Sequence, residues 1–259
     1  MNEEINNSLV RLQTLLIQAR TITKSLHGFQ LPSRKHSFAN ILFARVFLQF
    51  YHFSEIGKNS QRQDENNIDY PIDMPSMASI LRSIVELCRI FYYGAIERVS
   101  DDERDLRYLK FDLKSAYDKK RIWENFDSFI TIENIEDDNI FGKIEEQMTI
   151  LETEIKNHNY FYDLNDSQKK ICLLRAKAMY LKEKEIEERA GLDKKHQDGM
   201  YTILSSEIHA TPFALEQTVA NVANTRSAQL TLNLLLTYAI DYLKMYIEGM
   251  IELFPELSP

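Results

Sequence analysis

The sequence predicts an all-α protein, a single multi-helix bundle with long central hydrophobic helices. Three observations carry this. Seven glycines and six prolines in 259 residues are too few for the turn-rich chain of a sandwich or barrel. Apolar residues recur at three- and four-residue spacing along most of the chain. Segments 35–56, 76–98 and 226–254 are apolar around much of their circumference, as helices at the centre of a bundle are.

Taken in order, Leu9, Leu12, Leu15, Leu16 and Ala19 set a helical stripe over 3–25, ended by Gly28 and Pro32. The first central helix follows at 35–56. Residues 57–75, "GKNSQRQDENNIDYPIDMP", are polar and contain Gly57, Pro71 and Pro75. Against a usual loop of about 4–6 residues this is long, and reads as a disordered stretch or a cover over something. A second central helix spans 76–98. Segment 101–125 is charged and amphipathic, opening on Asp101, Asp102 and Glu103 where carboxylates suit a helix N-terminus.

Periodicity fails over "DSFITIENIEDDN", a loop with a short strand as the alternative, and an acidic helix follows at 140–157. Asn165 or Asp166 caps the next helix. Gly191 then separates a short charged helix from one carrying "YTILSSEIHATP", which Pro212 closes. The long apolar segment 226–254 ends the chain. No 20–50-residue repeat is present. The economical organisation is one domain over 1–259, with 101–158 as a more peripheral insertion.

Composition narrows the function classes. The chain is 44% hydrophobic and 27% charged, ordinary for a soluble globular protein. A net charge of −8 counts against a broad nucleic-acid surface but leaves room for a small basic cleft. The start shows no basic region leading into an apolar one, and no uninterrupted apolar run reaches the roughly 18 residues of a membrane span. Two cysteines, Cys88 and Cys172, make neither a disulfide framework nor a zinc site, so a reducing cytoplasm is expected.

The candidate site begins on segment 76–98. Ile80, Ile84, Leu87 and Phe91 share its main core face, and Leu81, Val85, Cys88 and Tyr92 form a second apolar stripe. A helix buried on two sides encloses part of its remaining face, which carries Arg82, Glu86, Arg89 and Tyr93. Arg82 and Glu86 stand in the weaker order for an exposed i,i+4 pair, so surface stabilisation explains them poorly. They read either as a structural ion pair or as a functional site. On 35–56, Ile41, Arg45, Gln49 and His52 share a face, and Arg45 is a candidate for a polar seam between the central helices.

Tyr201, Ser205 and His209 recur every four residues and so lie in register. A helix C-terminus favours the imidazolium form of His209 by about 0.3–1 kcal/mol, which suits either proton transfer near neutral pH or simple capping. Tyr201 and Ser205 would line the site or cross-link to a neighbouring helix. The phosphate cradles G-x-x-x-x-G-K-[ST] and G-x-G-x-x-G, the zincin H-E-x-x-H and the G-x-S-x-G elbow do not occur. Glu183 and Glu187 are one turn apart, but "EKEIEER" reads more simply as a solvated face than as a metal site. Ser205 and His209 lack a third triad member, and Trp123 follows helical packing rather than base stacking.

"SILRSIVELCRIFYY" and "ERAGLDKKHQDGMYTILSSEIHATPFAL" resemble a bacterial family known mainly as a domain of unknown function, with an R-S-x-x-E helix and a downstream Y-x-x-L-S-x-x-x-H segment. The chain is more loosely similar to the HEPN superfamily, whose many metal-independent ribonucleases carry R-x4–6-H on one helix. That resemblance points formally to Arg189 and His196 in "RAGLDKKH", with Gly191 breaking the segment between them.

These readings leave three functions open. In a metal-independent ribonuclease, His209 is the general acid or base, Arg82 with Arg89 stabilises the phosphorane, Glu86 orients Arg82 and Tyr201 contacts the substrate. In a non-catalytic binding or regulatory module the same cluster, with Ser205 and Arg45, holds a small anionic ligand or fixes packing, and the C-terminal helix forms a homodimer face. In a neutralising subunit, acidic 133–158 meets a basic partner. No cofactor and no metal is expected.

Overall fold

The computed structural model describes residues 2–60, 62, 71–126, 140–192, 194–209, 211–223 and 226–257. Among them are eleven α-helices and no strand, an all-α multi-helix architecture. The helices are α1 (Asn2–Leu26), α2 (Arg34–Asn59), α3 (Met74–Phe91), α4 (Asp101–Phe126), α5 (Ile140–Asn157), α6 (Asn159–Asp163), α7 (Asp166–Cys172), α8 (Glu183–Arg189), α9 (Lys194–Ile208), α10 (Pro212–Val222) and α11 (Arg226–Leu253). No helix among these residues is long and apolar enough to cross a membrane.

The chain forms two compact units. The first joins residues 1–97 to 187–259, and the second is the continuous segment 98–186. The second unit contains the 101–158 that the charge pattern marks out, together with α6 and α7.

The first unit is an apolar bundle. α1 packs on α11 and α2, α2 on α3, and α3 on α9. Its core includes Phe43, Phe50, Phe53, Leu81, Phe91, Leu235 and Tyr246, each at most 1% exposed. Phe91 and Tyr246 bring their ring centroids to 4.7 Å. Two polar pins cross this core: Ser8 Oγ donates to Asn233 Oδ1 at 2.8 Å, and Gln49 Nε2 donates to Ser83 Oγ at 2.8 Å. α3 starts on Asp73, whose side chain accepts from Ser76 N–H, with Pro75 in the first turn. It ends in one turn of π-helix, Tyr92–Ile96, closed by Glu97 N–H on Tyr92 C=O at 2.8 Å. Gly94 in that turn allows contact with Phe38: a Cβ there would lie 2.3 Å from Phe38 Cε1.

The second unit is built differently. α4 packs on α5, and its inward face mixes Leu106, Leu113 and Ala116 with Glu103, Arg107 and Lys110. Arg107 and Lys110 are fully buried. Arg107 Nε donates to Glu103 Oε1 at 3.1 Å, while the Tyr160 and Tyr180 hydroxyls donate to the same carboxylate at 2.6 and 2.9 Å. Lys110 Nζ donates to the Leu174 carbonyl at 2.6 Å. Nearer the surface, Glu145 of the acidic helix takes Lys120 and Arg175 at 2.7 and 2.8 Å, and Glu152 takes Arg175 at 2.5 Å.

Several expected boundaries shift. The helix capped at Asn165 has the full reciprocal box with Gln168 and is short, stopping at Cys172. Pro212 does not merely close a helix. It is the first residue of α10, capped by Thr211, whose hydroxyl accepts from Ala214 N–H at 3.3 Å. Of the long polar stretch at 57–75, residues 57–59 finish α2 and 74–75 begin α3, while 61 and 63–70 lie outside the described residues. "DSFITIENIEDDN" lies outside them too.

Candidate functional site

The arginine cluster forms where α3, α9 and α11 meet inside the first unit. Arg82, Glu86 and Arg89 project from successive turns of α3, with Val85 beside them. α9 adds Met200, Tyr201 and Leu204, and α11 adds Tyr238. The Arg82 guanidinium carbon stands 5.1 Å from the Tyr201 ring centre, and Nη2 donates to the Tyr201 hydroxyl at 3.3 Å. This is a cation–π contact worth about 0.5–1 kcal/mol at a partly exposed position. Arg82 Nε reaches Glu86 Oε1 only at 3.5 Å, a loose pairing.

One turn on, the arrangement tightens. Arg89 Nε and Nη2 both donate to Glu187 Oε1, at 2.8 and 2.5 Å, and both side chains are about nine-tenths buried. The two residues are 98 positions apart in sequence. Nearby, the Tyr92 hydroxyl donates to the Arg189 carbonyl at 2.6 Å, and Arg189 Nη1 donates to Glu97 at 2.9 Å. Burial pushes the Tyr238 phenol up to about 12. The cleft among these groups holds only about 10 Å³, space for about one water molecule.

Arg82, Glu86, Arg89 and Tyr201 are thus brought together, and His209 is not. It is exposed at the end of α9, its backbone N–H donating to the Ser205 carbonyl at 3.1 Å. Eight residues of helix put its backbone about 12 Å along the axis from that of Tyr201. His209 is not among the residues that line the cleft around Arg82. Ser205 is half-buried and outside the cleft lining. Arg45 is exposed on α2, and the seam between the central helices is the Gln49–Ser83 bond instead.

Gly191, at φ +72°, separates Arg189 on α8 from α9, so the R-x6-H spacing does not run along one helix. The side chain of His196 lies outside the described residues. Glu187, read from sequence as part of a solvated face, is the buried partner of Arg89. A contact between residues 98 positions apart leaves no mark in local spacing. Among the described residues no group of three or more His, Cys, Asp and Glu is placed to hold a metal. Both cysteines are free and buried, and burial raises both thiols, that of Cys172 to about 11. α11 turns most of its apolar surface into the core, leaving Leu230 and Leu234 exposed on its first turns.

A larger cavity, about 460 Å³, opens between α1 and α2, away from every residue of the expected site. Compared with known proteins, the chain matches no family model, no curated protein and no solved structure, so the resemblances to the domain family and to the HEPN superfamily rest on the quoted motifs alone.

Proposed function

We propose that this chain is a non-catalytic helical binding module, in which the α3 arginine cluster fixes helix packing. The observation that carries this reading is the sealed Arg89–Glu187 pair beside a cleft of about 10 Å³. A phosphorane needs a positive group free to meet it and a proton-transfer group within about 3 Å. Arg89 is already committed, Arg82 lies against Tyr201, and His209 stands off by two turns of helix.

The competing reading, a metal-independent ribonuclease or a phosphate seat, draws on one feature. Arg82 keeps about a quarter of its side-chain surface exposed, and its bond to Glu86 is loose. Incubation of the purified protein with total RNA and tRNA in EDTA separates the two. The binding-module reading expects intact RNA from wild type and from folded Arg82→Ala and His209→Ala alike. Cleavage by wild type that both variants lose would establish the ribonuclease and overturn it.

A further inference from the structure

The α1–α2 groove has features that the arginine cleft lacks. Its volume of about 460 Å³ falls in the usual range of small-molecule sites, roughly 300–1,000 Å³. Leu16 and Ile17 from α1 and Phe47, Leu48 and Tyr51 from α2 supply its apolar wall. Ile17, Leu48 and Tyr51 remain 68%, 56% and 47% exposed there, an apolar surface that nothing in the chain's own described fold covers.

The polar groups of the groove are asymmetric. A Cβ on Gly57 would lie 3.1 Å from the Leu9 side chain, so residues 9 and 57 face each other across the two helices. The chain reverses direction between α1 and α2, and this register sets Arg20 near Phe47, at the opposite end of the groove from Lys58. The two ends are about 16 Å apart along α2. Lys58 is neutralised by Glu55 at 2.6 Å, whereas Arg20 has no ion partner among the described residues. Ser54 is 1% exposed in the same wall, and its Oγ makes no hydrogen bond.

Charge distribution selects the sign of the ligand. The chain carries −8 overall, yet residues 5–54 contain six arginines and lysines and no acid. An anion is drawn to this hairpin and repelled by most of the remaining surface. A concave, elongated apolar wall with one unmatched cation at its end suits a ligand with a flexible apolar body and a single anionic head.

We propose that the α1–α2 groove binds a long-chain carboxylate, its alkyl chain along Leu16, Ile17, Leu48 and Tyr51 and its head group at Arg20. The proposal rests on the reading of this chain as a binding module. It has a separate readout, because RNA cleavage would remove that reading without touching the groove titration.

The test is calorimetric titration of the full chain with dodecanoate below its micelle concentration, beside dodecyltrimethylammonium and phosphatidylglycerol vesicles. Dodecanoate should bind one per chain with a Kd on the order of 10–100 µM, as expected for about 14 heavy atoms. Arg20→Gln should weaken it about tenfold, the loss of one charge-assisted hydrogen bond. Leu48→Glu should abolish binding. Both positions are exposed, and unchanged melting curves show that these variants stay folded. The proposal is overturned by no saturable dodecanoate binding, by equal affinity for the cationic amphiphile, by binding to vesicles alone, or by an Arg20→Gln variant that binds like wild type.

Discussion

The two units bury charge in opposite ways. The first seals the Arg89–Glu187 pair at the margin of a core that is mainly aromatic and aliphatic. The second runs Glu103, Arg107 and Lys110 down the inward face of one helix, satisfied by two tyrosine hydroxyls and a backbone carbonyl. A buried ion that keeps its partners adds little net stability over apolar side chains of the same volume, but an orphaned one is costly. Loss of one member should therefore be costly in either unit, and the second has more members to lose.

The sharpest break of that contrast is Arg107→Ala. It strands the Glu103 carboxylate among two tyrosines and should cost about 3–5 kcal/mol. Thermal melting together with hydrogen exchange of α4 amides would locate the loss in the second unit. A loss under 1 kcal/mol would show that this network is not what holds α4.

The next effect is one of pH. Burial by itself raises Glu103, but hydrogen bonding from Tyr160, the Arg107 charge, and further bonds from Arg107 and Tyr180 hold its carboxyl below the ordinary 4.5. Its contribution is present above that ordinary value and is lost as pH falls through the lower folded value. Burial lowers Lys110 from 10.5 to about 8. Between those values the unfolded chain binds the extra proton, so the Lys110 contribution to stability rises with pH across that window. The difference between wild-type and Lys110→Met melting curves isolates it. A difference that stays flat from pH 8 to 10.5 would remove Lys110 as the cause.

Arg82→Ala should do least. Its cation–π contact and loose ion pair are together worth about 1 kcal/mol or less. A loss matching that of Arg107→Ala would mean that the α3–α9 contact is held mainly by this side chain.

This contrast also explains what the sequence made legible. Apolar periodicity located α1, α2, α3, α5 and α11 closely, because their core faces are aliphatic and aromatic at helical spacing. The same logic placed α4 within a residue of its observed bounds but left its inward face unread. Glu103, Arg107 and Lys110 have the spacing of a core stripe but the chemistry of a wet one, and Tyr160, Tyr180 and the Leu174 carbonyl help to satisfy them inside. At the candidate site, the stripe Arg82–Glu86–Arg89 was within reach of helix geometry. Glu187 was not, because its identity as a partner depends on how α8 folds back. His209 shared a face with Tyr201, but a shared helix face says nothing of the distance along the axis. The α1–α2 groove was foreshadowed only by the acid-free run from residue 5 to residue 54.

Residue 97 ends the first segment of the larger unit and residue 187 begins the second. Glu97 is tied to Arg189, Glu187 to Arg89, and Tyr92 to the backbone at Arg189, all within that unit. The two cut ends are thus fastened side by side in the host, independent of what is spliced between them. Replacing the intervening 89 residues by a short linker should therefore leave the first unit folded, which circular dichroism and melting of the shortened chain would check.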